Sequence, residues 1–452
     1  MVRRLMWVAA ATLAIALAGV PTAAAGAVPS PNVNQQWWFD SWAIERQVWP
    51  LTQGDGVTVA LIDSGVNASL PDLRNVVLPG KDVTGGGTDG RKDIDEEAFG
   101  HGTGMASLIA SQGTGTGFVG IAPGVKILPI TNRDLGDATL VPAIRFAVDR
   151  GAKVINISQA SAAGPRECPP AVQSAIAYAA QKDVVILAGA GNTGDTHNVP
   201  NFPASCPGVV GVGAIDNRGV PWKSSQRQDY VTVAAPGSGI PALSRDGRVW
   251  PQGDGTSHAT ALASGAVALV RSRYPNMSAR DVVQLVTNTA VDLGPKGKDD
   301  MTGFGGISIR RALRQKVPAN APNPVYERLD RVLAQSSSGG SGAGSGPSAA
   351  EEDTGSGNGG LIKIAAIVMI GIGVIGAPIT IAYDRRKKRN RNLPPPPPSY
   401  SGGPGPGMPP SFGGGQQPYG QAPQGQPPYG HGQGPYGPPP AQQPPYPPRQ
   451  GE

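Results

Sequence analysis

Apolar and polar positions alternate along this chain with two different periods. Short runs rich in Val and Ile, bounded by Gly, Pro, Asn or Asp, occur at 57–62, 126–130, 154–157, 184–188, 209–214 and 231–234 and predict strands. Between and after them, small and apolar residues recur at helical spacing over 101–111, 140–150, 171–182, 257–274 and 279–289, which predicts helices. Strands apolar on both sides and separated by helices imply a parallel sheet covered on both faces, an α/β fold. After Arg314 the periodicity fades.

The two ends follow different patterns. Residues 1–25 join Arg3 and Arg4 to an apolar run and the small residues Ala23, Ala24 and Ala25, which reads as a secretory signal peptide. Residues 26–54 carry Trp37, Trp38, Phe39, Trp42 and Trp49, too few residues for a separate folding domain and aromatic enough to predict an extension packed on the body, 55–333. A Ser/Gly-rich stretch, 334–360, reads as a flexible tether. Within 361–383 lies an uncharged run from residue 364 to residue 383, long enough to cross a bilayer. Residues 384–452 open with a basic cluster and continue in Pro, Gly, Gln and Tyr, an extended tail without a core.

Composition sharpens this picture. The 65 glycines and 47 prolines crowd towards the C-terminus, so one large globular body is the better count for 452 residues. The net charge of +6 is local: Arg385, Arg386, Lys387, Lys388, Arg389 and Arg391, less Asp384, give +5, Arg3 with Arg4 give +2, and the remaining residues sum to −1. It therefore records membrane topology and gives no sign of a nucleic-acid partner. The basic cluster beyond the span predicts a single-pass cell-membrane protein with its body outside and its tail in the cytoplasm. Cys168 and Cys206 are the only cysteines, and in an exported chain two cysteines pair; without further ligands nearby they do not suggest a metal.

Candidate chemistry begins at residues 255–265, GTSHATALASG, where Ser257 opens an alanine-rich helix whose free N–H groups and dipole surround its hydroxyl. A nucleophilic serine needs a base, and the base an orienting carboxylate. Of the four histidines, His431 lies in the tail, His258 adjoins the serine on the helix and projects elsewhere, and His197 sits in a loop. His101, in FGHGTGMASLIA, remains. Asp63 ends the strand pattern VTVALID, where open α/β sheets place their sites. Residues 85–97, with Asp89, Asp93, Asp95, Glu96 and Glu97, read as a solvated loop that could shape the edge of a cleft; they lack EF-hand spacing for calcium.

The blocks VTVALIDSGV, GHGTGMASLIA, GAGNTG and GTSHATALASG, in the order Asp, His, Asn, Ser, resemble the subtilisin-like serine proteases of the peptidase S8 family, with GIAPGVKILPI, VINISQA, NFPASCPGVVGVGAID and VTVAAPGSGI matching between them. The resemblance implies a subtilisin-like fold and an endopeptidase acting on a protein or peptide, without metal or organic cofactor. Asp63, His101 and Ser257 would form the triad, Asn192 would hold the oxyanion, and Ser158, Gln159 and Ala160 would pair with an extended substrate. Ala190 and Gly191 would line the main specificity pocket.

The signal peptide, short extension and single span look like the mycosins, the membrane-anchored proteases of type VII secretion systems. That implies a secretion membrane complex as partner, and leaves open a structural role in which proteolysis is secondary. The sequence departs from the family pattern at Gly104, where a second histidine is common, at Ala261, where proline is usual, and at Leu262, where another histidine is frequent. Altered packing and pocket shape are expected there.

Overall fold

The computed structural model describes residues 29–31, 35–95, 99–161 and 168–338. The expected signal peptide and membrane span, nearly all of the tether, and the tail lie outside the described residues, as do Glu96 and Glu97. Among the described residues no helix is long and apolar enough to cross a membrane.

The first ordered turn is a short helix, α1 (Trp38–Ser41), followed by a single π turn at Ile44–Val48. Trp38, Phe39, Ile44 and Val48 are buried in the same apolar cluster as the central sheet. The polar groups that go in with them are satisfied: Gln36 Nε2 donates to the Val119 carbonyl (2.6 Å) and Trp49 Nε1 to that of Ile121 (2.9 Å).

Next come β1 (Thr58–Asp63), β2 (Lys81–Asp82), α2 (His101–Ala110), β3 (Lys126–Thr131), α3 (Asp137–Asp149), β4 (Val154–Ile157) and α4 (Pro170–Gln181). They are followed by β5 (Val185–Gly189), β6 (Val209–Ile215), β7 (Val231–Pro236) and a hairpin of β8 (Ile240–Leu243) and β9 (Val249–Gly253). The chain closes with α5 (Thr256–Arg273), α6 (Ala279–Asn288), α7 (Ile309–Ala312) and α8 (Pro324–Ser338). β1 to β7 form one sheet in the order β2-β3-β1-β4-β5-β6-β7, and the pairs are parallel.

The parallel sheet explains the continuous apolar runs. β4, β5, β6 and β7 are buried at every position, because helices cover both faces. Residues of α2, α5 and α6 join one face in the larger core, and those of α3 and α4 fill the other. α5 is buried along almost its whole length, so its small, apolar sequence has no polar stripe.

The chain leaves β1 for β2 and β3 on one side and returns to β4 on the other, so the strand order reverses at β1. In open α/β sheets such a reversal opens a crevice at the strands' carboxyl ends.

Two elements escape the sequence pattern. The β8–β9 hairpin contains Pro241 and Pro251, which break the appearance of strand, yet β8 is buried throughout while β9 faces outward. α8 buries Val325, Tyr326 and Leu329, a narrow stripe obscured by the prolines before it and the serines after it.

Cys168 and Cys206, paired in expectation, are joined by a disulfide.

Candidate functional site

Asp63 is the last residue of β1, at the point where the strand order reverses, and is 1% exposed. Its Oδ1 accepts the Ser64 backbone N–H (2.8 Å) and meets His101 Nδ1 at 2.8 Å. His101 is the first residue of α2, a position that holds the imidazole against the end of β1. The approach of α2 to this strand end is close: a Cβ at Gly102 would lie 2.1 Å from the Gly65 carbonyl oxygen, so only glycine fits.

The acidic loop before α2 is more than a solvated edge. Gly100, the residue preceding the helix, supplies no side-chain cap, so the first N–H groups need partners from elsewhere. Asp95 Oδ2 accepts the His101 N–H (3.0 Å), Ser64 Oγ accepts that of Gly102 (2.9 Å), and Asp93 Oδ2 accepts that of Thr103 (2.8 Å). Asp93 Oδ1 accepts from Ser64 Oγ (2.8 Å), tying the end of β1 to the same loop. The sequence signal for these roles was only a run of charge.

Burial opposes protonation of His101, but the charge and hydrogen bond of Asp63, with the charges of Asp95 and Asp93, outweigh it and raise the pKa above the usual imidazole value. His258 contrasts with it. It is 6% exposed, and burial, reinforced by the nearby His101, pushes its pKa down to about 3, with Asp254 opposing. His258 is a neutral imidazole in the core at any ordinary pH, whereas His197 is exposed in a turn.

Ser257 stands in the first turn of α5. Its Oγ donates to the Ser158 carbonyl (2.8 Å), and Ser158 Oγ donates back to the Ser257 carbonyl (3.0 Å). Asn156 Nδ2 donates to Ser158 Oγ (2.8 Å) and its Oδ1 accepts from Ser264 Oγ (2.9 Å). The end of β4 and the start of α5 are thus fastened by a buried polar chain.

Asn192 follows β5 in an exposed loop, and its Oδ1 accepts both the backbone N–H (2.9 Å) and the hydroxyl (2.8 Å) of Thr256, next to Ser257. With its oxygen committed, the carboxamide retains its NH₂ as a donor beside the start of α5.

An open cavity of about 900 Å³ is lined by Asp63, His101, Asn132, Ser158, Gln159 and Ala160 among others. Gln159 Nε2 donates to the Asn132 carbonyl (3.1 Å), bracing one wall. Gly191 has φ +116°, and Ala190 is buried with its N–H bonded to Val212 (2.9 Å) and its carbonyl to Tyr230 (2.9 Å). Both backbone groups of Ala190 are thus paired within the core, and neither Ala190 nor Gly191 is among the residues lining this cavity. Among the described residues no cluster of His, Cys, Asp or Glu is arranged to hold a metal ion.

The model for the subtilase family, Peptidase S8, matches residues 54–305. Fervidolysin from Fervidobacterium pennivorans is 32% identical over 63% of this chain and 44% of its own, so the chain spans less than half of that relative. Mycosin-3 from Mycobacterium tuberculosis is 34% identical over 60% of this chain and 70% of its own. A solved structure of the serine protease MycP1, described as an essential component of the type VII (ESX-1) secretion system, superposes with a TM-score of 0.54 and 31% identity, covering 64% of this chain and 91% of its own. With the family match extending over more than half its length, and the sheet, helices and crevice described above, this chain belongs to the subtilase family of serine peptidases.

Proposed function

We propose that this protein is a membrane-tethered endopeptidase acting outside the cytoplasmic membrane, with Ser257 as nucleophile, His101 as general base and acid, Asp63 as orienting carboxylate and Asn192 as oxyanion donor. The observation that carries the reading is the 2.8 Å contact between Asp63 Oδ1 and His101 Nδ1 at the mouth of a crevice bordered by Ser158, to whose carbonyl Ser257 is bonded. With Nδ1 held by Asp63, Nε2 is the nitrogen that takes the serine proton.

The Ser257 hydroxyl must first leave the Ser158 carbonyl and turn towards His101. Its attack on a peptide carbonyl gives a tetrahedral oxyanion, stabilised by the Asn192 NH₂ and the Ser257 N–H. Collapse expels the amine, which takes the proton from His101 and leaves an acyl-enzyme; water, deprotonated by His101, then hydrolyses the ester and regenerates Ser257. The substrate is a protein or peptide in extended form, lying along residues 158–160. Hydrolysis by these groups needs no metal or organic cofactor.

The anchor rests on the uncharged run at 364–383 and the basic cluster beyond it. A place in a type VII secretion complex is supported by the likeness to mycosins. The same likeness favours a second reading, a structural component of that complex whose proteolysis is secondary, because MycP1 is described as an essential component of its system. Labelling with a serine-directed fluorophosphonate tests the chemistry. Ser257 is expected to be modified and Ser257→Ala to be silent; undiminished labelling of that variant would overturn the assignment.

A further inference from the structure

The outer side of α3 and α4, which pack against each other, carries positive charge that the proposed chemistry does not use. Two aromatic rings there are each flanked by two cations. Lys81 Nζ stands 5.4 Å from the centre of the Phe146 ring and the Arg150 guanidinium 5.8 Å. The Arg145 guanidinium stands 5.1 Å from the centre of the Tyr178 ring and Lys182 Nζ 5.8 Å. All four cations are exposed, while both rings are half-buried. None of these residues lines the crevice cavity.

The charge is left unpaired. Among the described residues, no carboxylate lies within ion-pair distance of Lys81, Arg145, Arg150 or Lys182. By contrast, Arg91, Arg218, Arg248 and Arg280 on other parts of the surface each meet an aspartate at between 2.6 and 3.0 Å. The acids nearby in the chain are spent elsewhere. Asp149 accepts the Tyr178 hydroxyl (2.6 Å), and Asp183 is held by the buried Arg271 (2.6 Å) and by Lys153 (3.7 Å). The helix dipole favours a cation at Arg150 and Lys182, which end α3 and α4, but gives no reason for Lys81 on β2 or for Arg145 a turn further back. Cations gathered on two rings repel one another, and carboxylates brought among them relieve that repulsion.

The apolar side chains decide which anionic partner fits. A face that enters a bilayer presents exposed apolar residues below its cations. The large apolar side chains exposed among the described residues are Leu51, Val199, Val220, Trp250, Val291 and Leu333, and none of them lies on α3 or α4. Cations over half-buried rings suit a polypeptide instead, whose carboxylates reach the cations while an apolar side chain lies against a ring. We infer that α3 and α4, with Lys81, form a docking surface for an acidic segment of a protein partner, its carboxylates meeting Lys81, Arg145, Arg150 and Lys182. The surface stands apart from the crevice, and the inference does not depend on the hydrolase reading.

The full-length chain is reconstituted in phosphatidylcholine nanodiscs and treated with carbodiimide and a soluble peptide of Glu and Asp carrying one Leu and one Phe. The lysines coupled to the peptide are identified by mass spectrometry. Lys81 and Lys182 are expected to couple about tenfold more than Lys92, Lys223 and Lys296, which are exposed on other parts of the body. That excess should vanish at about 0.5 M NaCl, where surface charges are screened within a few ångströms. Lys387 and Lys388, in the basic cluster of the tail, serve as the internal reference. In Arg145→Glu with Arg150→Glu, coupling at Lys81 and Lys182 relative to that reference should fall about tenfold, whereas Arg145→Lys with Arg150→Lys should keep it, both variants unfolding at the wild-type temperature. Even coupling over the body lysines, or an excess that survives both salt and the Glu substitutions, overturns the surface. So does a lipid in the partner's place: Lys81 and Lys182 protected from acetylation in discs with about 30% phosphatidylglycerol, without selective coupling to the peptide.

Discussion

Ser158 and Ser257 exchange hydrogen bonds, each hydroxyl donating to the other's backbone carbonyl at 3.0 and 2.8 Å. The pair joins the carboxyl end of β4 to the first turn of α5, and Asn156 and Ser264 extend it into the core. Ser158→Ala removes the donor to the Ser257 carbonyl and the acceptor for Asn156, leaving buried polar groups unpaired at about 1–3 kcal/mol. Thermal unfolding should therefore move to lower temperature. Because the turn of the proposed nucleophile loses its brace, kcat should fall more than KM rises. A variant as stable and active as wild type would remove the brace from this account.

Asn192 spends its carboxamide oxygen on Thr256, which leaves its NH₂ for the proposed role as oxyanion donor. Asn192→Ala is expected to lower kcat by about 10²–10³ with little change in KM, the magnitude known for this donor in subtilisin, a member of the same family. A KM effect with unchanged kcat would make Asn192 a substrate-binding residue instead.

The acid limb of kcat/KM should follow His101, which faces Asp63 on β1, Asp93 and Asp95 in the loop before α2, and His258 on α5. Its pKa is raised, so the midpoint should lie above the unperturbed value of about 6.5. Asp95→Asn keeps an acceptor for the His101 N–H but removes a charge, and the midpoint should move to lower pH. An unmoved midpoint would mean that Asp95 only caps the helix.

Stability has the opposite dependence on the two histidines. The raised His101 pKa contributes stability that is complete below the unfolded value and lost as pH rises through the folded one. His258, with a folded pKa of about 3, binds its proton only when unfolded between that value and about 6.5, so its burial costs stability as pH falls through this window. In His258→Met, unfolding followed between pH 6.5 and 3 should lose less stability on acidification than wild type. An identical acid loss would place the sensitive group elsewhere.

The strands were legible because a sheet buried on both faces demands unbroken Val and Ile, as in β4 and β5. The β8–β9 hairpin was not, since Pro241 and Pro251 mimic loop while one face still packs on α2. Asp63, His101, Asn192 and Ser257 stood out by motif and order. What remained hidden was their support. Asp93 and Asp95 cap α2 from a loop whose sequence offers only charge, and Ser158 answers Ser257 across 99 residues of separation. Gly104 showed as a missing histidine, and only the position of Phe99 against it gives the vacancy a use.

The bridge between Cys168 and Cys206, at a sequence separation of 38, closes a loop that contains the Asn192 turn, worth about 4 kcal/mol by loop entropy. Folded protein should offer no alkylatable thiol until reduced, and reduction should lower its unfolding temperature. Two reactive thiols in native protein from the membrane would count against both the bridge and an oxidising compartment.

The last prediction separates enzyme from scaffold. If catalysis is the main role, Ser257→Ala and deletion of the whole chain impair the host's secretion alike, because removing the nucleophile leaves only the residual contribution of binding and the oxyanion donors. If assembly is the main role, Ser257→Ala supports secretion, while ending the chain before Ile364 disables it by losing membrane capture and the high local concentration a tether provides. The expected outcome is mixed: Ser257→Ala abolishes cleavage but leaves the membrane complex intact, and the truncation abolishes both in cells. Cleavage is read with a peptide substrate and assembly by co-purification of the complex from membranes. Full function from an untethered body would make the inferred anchor dispensable and refute the scaffold reading.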